Sequence, residues 1–261
     1  MDAIEASLVI PTRNERANIA PLVAQLAAAL NGATWEAVFV DDSDDGTDQV
    51  IAALAAEDSR LILVHRLANR GGLAGAVVEG LAQVRGAYVC VLDADLQHPP
   101  SYVARLLEAA RRTQADVVIA SRYLPGGSAG GLNGPLRRFY SVGLRSLSLT
   151  LFPRRLAGLT DPLGGFFVVR RSVAQAAALR PTGYKILLEV LVRCPWRVVT
   201  EVPYAFQPRQ HGDSKADFRQ GARFLRHLAR LVWDCSPAFA LPRLVLGGAS
   251  VKAADPSAAR L

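Results

Sequence analysis

Aspartates recur at points where apolar runs stop. Asp93-Ala94-Asp95-Leu96-Gln97 follows the run Tyr88 to Leu92. In extended chain, residues two apart point the same way, so both carboxylates can face one point. Like charges held together repel unless a cation joins them. Mg²⁺ or Mn²⁺ suits the pair, being hard, oxygen-seeking and commonly held by one or two carboxylates plus substrate phosphates. The competing explanation is a solvated loop whose aspartates cap the next helix, and a bare DxD does not decide between the two. Asp41-Asp42-Ser43-Asp44-Asp45-Gly46-Thr47 follows a second run, Ala37 to Val40. Its carboxylates can accept hydrogen bonds from a ribose or a base N–H, and Asp45 or Thr47 can equally cap a helix. Pro11-Thr12-Arg13-Asn14-Glu15 ends a third run. There the alternative is a simple strand-to-helix turn.

These clusters need a scaffold, and the pattern supplies one. Short apolar runs at Ser7 to Ile10, Ala37 to Val40, Leu61 to Val64, Tyr88 to Leu92 and Val117 to Ile119 read as strands. Helix patterns fall between them, from about Arg16 to Leu30, from Gly46, near 73–84, and from Pro99-Pro100, since proline suits a first turn. Continuous apolar strands alternating with helices indicate an α/β fold with a mainly parallel central sheet, buried on both faces. Ligands bind at the carboxyl ends of such strands, where Thr12 to Glu15, Asp41 to Asp45, Asp93 to Gln97 and Ser121-Arg122 all fall. After residue 122 the pattern changes. Residues 125–134 are glycine-rich and read as a mobile loop. Residues 136–152 read as a helix, Phe166 to Val169 as a strand, 184–194 as a helix, and Val198 to Phe206 as extended chain. Residues 217–234 predict an amphipathic helix with Phe218, Ala222, Leu225, Ala229 and Val232 on one side. Arg219, Arg223, Arg226 and Arg230 take another. A tail from about 252 reads as disordered.

The chain has 261 residues and a formal net charge of +7, with half its residues apolar. That composition supports a folded core and favours anionic partners, whether nucleic acid, phosphate ligands or an anionic membrane surface. Arginine is dense in 137–155 and 209–230, so the second half builds the anion-facing surface. Cys90, Cys194 and Cys235 are scattered, which argues against a disulfide framework or a zinc site and for a reducing compartment. The acidic N-terminus is not a secretory signal. No apolar run reaches the roughly 18 residues a spanning helix needs.

The ordered series PTRNE, VDDSDDGT, NRGGLAGA, LDADLQHPP and SRY resembles the nucleotide-sugar domain of family 2 glycosyltransferases with the GT-A fold. Downstream, DPLGGFFVVRR, GYKILLEVLV and FQPRQHGDSK resemble the dolichol-phosphate mannose synthase branch. The resemblance runs from about residue 6 to 235. It implies a catalytic domain over 1–235, with acceptor and interface helices within 136–152 and 217–234, followed by an appendage at 236–261. It implies that Pro11, Glu15 and Asp42, with Asp41, contact the nucleotide of the donor. Asp93 and Ala94 belong to the same donor site, and Asp93, Asp95 and Gln97 to its metal and diphosphate site, with Mg²⁺ or Mn²⁺ as cofactor. Arg122 and Arg138 match arginines near the transferred sugar and acceptor phosphate, and Arg137 is the neighbouring candidate. Arg209 and Lys215 match the basic pair of an RxxGxSK motif that grips the diphosphate. Asp95, Arg122 and Arg138 are the expected catalytic groups.

An anionic acceptor fits the residues. Hydroxyl acceptors need a general base, and the ED-type motif that supplies one elsewhere is not found. A phosphate monoester, with a second pKa of about 6, is already mostly dianionic at neutral pH. It needs positioning and screening, which arginines provide as planar bidentate donors. A solvated basic face is the alternative for those arginines. The expectation is therefore transfer of one sugar, from GDP-mannose, to a polyprenyl phosphate with inversion. A UDP-sugar donor of glucose or an aminosugar is the second reading. A nucleotidyltransferase lacks its GxGxR loop here, and a processive synthase lacks QxxRW. A basic membrane- or nucleic-acid-binding module would not account for acidic clusters at three strand ends, and nucleic acid is not expected as a partner. Location at the cytoplasmic face follows, peripheral on the membrane. Leu241 to Val251 resembles the opening of a membrane domain in some relatives, which suggests a lost membrane domain or a separate membrane-protein partner.

Overall fold

The computed structural model describes residues 3–68, 70–130, 135–180, 182, 184–208, 218–235 and 250–253. The apolar runs become strands, and the most continuous of them are the most buried. β1 (Ala6–Thr12) and β2 (Trp35–Asp41) are buried along their whole length and pair in parallel, Ala6 opposite Trp35 and Thr12 opposite Asp41. Helices cover both faces, so alternate residues of one strand enter two different cores. Leu8 and Ile10 pack with α1 (Arg16–Ala29), α2 (Thr47–Glu57) and α4 (Ser101–Thr113). Val9 packs with α3 (Gly72–Gln83) on the opposite face. Burial on two sides is why these strands carry no polar alternation.

β3 (Leu61–His65) extends the sheet beyond β2, and β4 (Tyr88–Val91) flanks β1 on the other side. The chain therefore reverses its direction of travel across the sheet at β1, which opens a crevice at the carboxyl ends of β1 and β4. Farther out, β5 (Val117–Ser121) pairs in parallel with β7 (Val198–Pro203). Between β4 and β5 runs β6 (Phe167–Arg170), antiparallel to both. With β8 (Ser250–Ala253) the order is β3-β2-β1-β4-β6-β5-β7-β8. α5 (Pro135–Leu151) leads into the short α6 (Pro153–Leu156). Another short helix, α7 (Arg171–Ala174), follows β6. α8 (Ile186–Arg193) and α9 (Phe218–Cys235) join the α3 side of the core.

Three expectations change. The 125–134 stretch is not a free loop over its described part: Ser128 bridges Ala205, with its N–H on the Tyr204 carbonyl and its carbonyl on the Phe206 N–H. α9 forms as expected but turns a different face inward. Phe224, His227, Leu228 and Leu231 are buried, whereas Leu225 of the expected stripe is half exposed. His227 reads as polar in sequence, yet it lies 3.3 Å from the buried Glu189 of α8, which selects this face. Finally, Lys252 and Ala253, the start of the tail expected to be disordered, pair with β7 as part of Ser250–Ala253. Residues 236–249 and 254–261 lie outside the described residues. Cys90 and Cys194 are buried and Cys235 is half-buried, and among the described residues none of the three forms a disulfide.

Candidate active site

The register of β1 and β2 sets Thr12 beside Asp41 at the crevice. Asp41 is fully buried, and its carboxylate is saturated from within. It accepts from the Thr12 hydroxyl at 2.8 Å, from the Ser43 hydroxyl at 2.5 Å and main-chain N–H at 3.2 Å, and it lies 3.1 Å from His65 Nδ1. Pro11 is buried within β1. Asp42 forms a bidentate ion pair with Arg66, one arm of it Nε to Oδ1 at 2.7 Å, and both side chains are 5% exposed. Arg66 also donates to the carbonyls of Arg70 and Gly72. The NRGG turn needs its glycines for this: Gly71 and Gly72 have φ of +77° and +61°, and a Cβ on Gly75 would stand 2.2 Å from the Arg70 oxygen. Arg66 thus ties the Asp42 loop to the NRGG loop. Glu15 precedes α1, its N–H donating to the Thr47 hydroxyl and its carboxylate accepting from Asn18 at 2.6 Å. Asp45 is a helix cap, accepting from the Thr47 N–H and hydroxyl. Burial pushes its carboxyl up, but the Thr47 bonds outweigh that and hold it below the ordinary value.

Asp93, Asp95 and Gln97 leave β4 in a tight turn with Leu96 in the left-handed region at φ +61°. Asp95 is buried and accepts the Gln97 N–H at 3.1 Å, while the Asp93 side chain is 35% exposed. Ala94 is buried between them. Gln97 makes a two-way bridge to the chain beyond β7, its carbonyl taking the Gln207 N–H and its amide donating to the Gln207 carbonyl, both at 3.0 Å. Gly165 faces this turn, and a Cβ there would stand 3.5 Å from Asp93 Oδ2.

Arg122 follows β5 and is held by Asp161: Nε to Oδ2 is 2.8 Å and Nη2 to Oδ1 is 2.9 Å. Burial pulls its pKa down, but the Asp161 bonds and charge win, and it stays cationic. Its guanidinium centre lies 5.7 Å from the Phe206 ring centroid. Asp161 is oriented in turn by the buried Glu201, which accepts the N–H groups of Thr160 and Asp161. Burial pushes the Glu201 carboxyl up against those two bonds. Lys185 donates to the Leu163 carbonyl at 2.8 Å in the same 161–165 turn. Arg137 and Arg138 lie in the first turn of α5. Arg209 and Lys215 fall outside the described residues.

The structure thus gathers Thr12 to Glu15, Asp41, Asp42 and the Asp93 turn at neighbouring strand ends, with Arg122 across the inserted β6. Sequence reading singled out neither His98, Asp161, Glu201 nor Arg66. His98 stood in LDADLQHPP and Asp161 in DPLGG, so the motif runs contained both, whereas Arg66 and Glu201 lie outside those runs. A family model, Glycosyl transferase family 2, matches residues 7–177, about the span from β1 to α7. The chain belongs to glycosyl transferase family 2. Relatives of this family 2 chain include a dolichol-phosphate mannosyltransferase of Pyrococcus furiosus, 36% identical over 88% of this chain and 65% of that protein. One of Saccharomyces cerevisiae is 32% identical over 88% of this chain and 87% of its own length. An undecaprenyl-phosphate mannosyltransferase of Micrococcus luteus is 34% identical over 79% and 85%. The chain spans 65% of the Pyrococcus protein's length. Among solved structures, glucosyl-3-phosphoglycerate synthase of Mycobacterium tuberculosis, in complex with Mn²⁺, UDP and phosphoglyceric acid, aligns with a TM-score of 0.65. Its identity is 20%, over 92% of this chain and 80% of that one. The likeness shows that this family 2 chain has a GT-A-like fold.

Proposed function

We propose that this protein transfers one mannosyl group from GDP-mannose to a polyprenyl phosphate. The observation that carries the reading is how the acids around Arg122 are used. Asp161 is bound by Arg122 and Glu201 by main-chain amides. The nearby His98 is buried, and burial pushes it down to about 4, opposed by Asp95 and assisted by Arg122. None of these groups is placed to take a proton from a hydroxyl, so an acceptor that arrives already ionised fits best. The relatives named for dolichol- and undecaprenyl-phosphate mannosyl transfer support the same substrate class.

Asp93, Asp95 and Gln97 fit a Mg²⁺ or Mn²⁺ ion. Asp93 stays partly open beside Gly165, and all three offer oxygen to a hard cation. Among the described residues no group of three or more His, Cys, Asp or Glu is placed to hold a metal ion. Such an ion screens the charge that develops on the departing nucleoside diphosphate. Asp42 and Glu15, set by Arg66 and Asn18, face the nucleotide, and Asp41 fixes their loops from behind. Arg209 and Lys215 grip the diphosphate. Arg122 and Arg138 hold the acceptor phosphate, whose oxygen attacks the anomeric carbon as the bond to the diphosphate breaks. A single displacement of this kind inverts the configuration.

The enzyme works at a membrane surface, peripheral on the cytoplasmic side, alone or with a membrane-protein partner, and 236–261 is its appendage. Among the described residues no helix is long and apolar enough to cross a membrane. The deciding experiment supplies GDP-mannose or UDP-glucose, Mn²⁺ and polyprenyl phosphate, and measures labelled lipid. GDP-mannose transfer, lost in Asp93→Asn, supports the reading. Lys215→Ala is expected to weaken donor binding and Arg138→Ala to raise the KM for lipid phosphate. Transfer from UDP-glucose alone would replace mannose with the second reading.

A further inference from the structure

His98 stands directly after the DxDxQ turn, and its ring is buried among aromatic side chains. Its side chain is 3% exposed. Nδ1 accepts the main-chain N–H of Asp93 at 3.0 Å, so the neutral ring carries its proton on Nε2. The ring stacks on Phe166 with centroids 5.1 Å apart, and lies 5.6 Å from Phe206 and 6.1 Å from Tyr204. Phe166 leads into β6, and Tyr204 and Phe206 follow β7. A Cβ on Gly165 would stand 3.2 Å from His98 Cε1, so the glycine is what leaves room for the ring on that side.

The turn it closes needs holding. The last link to β1 is the Leu92 N–H on the Val9 carbonyl at 3.3 Å. The next N–H, that of Asp93, has left the ladder, is part-buried, and donates to His98 Nδ1 instead. Leu96 adopts a left-handed conformation that a branched residue resists, by roughly 1–2 kcal/mol. The turn therefore depends on outside contacts to keep Asp93 and Asp95 aimed together. The Nδ1 bond fixes its first residue, and the stacked ring fixes its last against two other strands.

We propose that His98 is a positioning residue: its bond to the Asp93 N–H and its packing against Phe166, Tyr204 and Phe206 aim the two carboxylates at the cation and diphosphate. This rests on the reading of Asp93, Asp95 and Gln97 as the metal site. Supporting groups of this kind typically contribute 10–100-fold in metal affinity. The test titrates Mn²⁺ against the protein with GDP present, read by electron paramagnetic resonance of free Mn²⁺ and by thermal shift. His98→Phe keeps a ring for stacking and removes the acceptor. His98→Asn restores an acceptor oxygen near the place of Nδ1. The Phe variant is expected to need about tenfold more Mn²⁺ for half-saturation. The Asn variant should return to within about threefold of wild type, a rescue that a purely structural role would not give. If the Phe variant fails to fold, His98→Met takes its place, being apolar and adaptable. Wild-type Mn²⁺ dependence in the folded Phe or Met variant overturns the proposal, as does an Asn variant no better than either. Asp93→Asn is run alongside. If it too binds Mn²⁺ normally, the metal-site reading falls, and this proposal with it.

Discussion

Arg122 and Asp161 form an ion pair with side chains 9% and 1% exposed. At that burial the charges have lost most of their water, and the two bonds between them must offset the loss. Removing one partner strands the other. Asp161→Ala is therefore expected to cost roughly 3–5 kcal/mol in urea unfolding, and to impair acceptor use in the protein that remains folded. Arg122→Lys should also fail to restore the site, because a point charge cannot make the planar two-pronged bond. Stability of Asp161→Ala within 1 kcal/mol of wild type would mean the pair is far wetter than its burial indicates. The same residue scale shows what the sequence could carry. The DxDxQ run was legible because its parts are adjacent and their spacing has a chemical meaning. Asp161 was not, because it acquires its role from an arginine 39 positions away. Asp41 was legible as a carboxylate at a strand end. That Thr12, Ser43 and His65 would occupy it was not, since Thr12 comes from another strand and His65 from the next.

At the scale of elements, α8 and α9 are joined through buried polar groups. Glu189 accepts from Arg193 at 2.6 Å and from the Arg180 N–H at 2.7 Å, and Arg193 reaches on to Asp234 at 2.5 Å. His227 Nδ1 accepts the Thr182 N–H at 3.2 Å. Its proton then sits on Nε2, 3.3 Å from the second Glu189 oxygen, close enough for charge interaction but with neither atom in a hydrogen bond. Burial pushes His227 down, with Glu189 opposing and Arg193 and Arg230 assisting. A histidine whose folded pKa lies below its unfolded value of about 6.5 takes up its proton first in the unfolded chain. The fold is then expected to lose stability as pH falls below about 6.5, down to the folded pKa. Melting temperatures from pH 7.5 to 5 should fall for wild type and fall less steeply for His227→Phe. Equal slopes would remove His227 from the account. This pairing also explains why the helix was legible and its orientation was not. Two stripes were available on 217–234, and the one containing histidine was chosen by a glutamate on another helix. The alternating β and α order of the first 120 residues needed no such partner, because each apolar run is buried on both faces by its own neighbours.

At the scale of the whole molecule, the net charge of +7 has a direction. The inward turn of α9 leaves Arg223, Arg226 and Arg230 outside with Leu225 at 51% and Trp233 at 69% exposure. Val142, Leu147 and Leu151 are exposed on α5. Basic residues near an anionic leaflet contribute about 1 kcal/mol each. Replacing the three arginines by glutamine should weaken binding to anionic vesicles on the order of a hundredfold at low salt, with little change on neutral ones. Co-sedimentation measures it, and equal binding by both proteins would move the contact elsewhere. The inserted strand β6 has a consequence for how such a chain is made. β4 and β5 are complete by residue 121, but neither can close the sheet until Phe167–Arg170 arrives between them. A ribosome stalled anywhere in between holds a nascent chain whose β4 edge is bare, apolar and free to pair with a neighbour. The Asp93 turn sits on that edge, so the gap that closes when β6 arrives lies beside the candidate site.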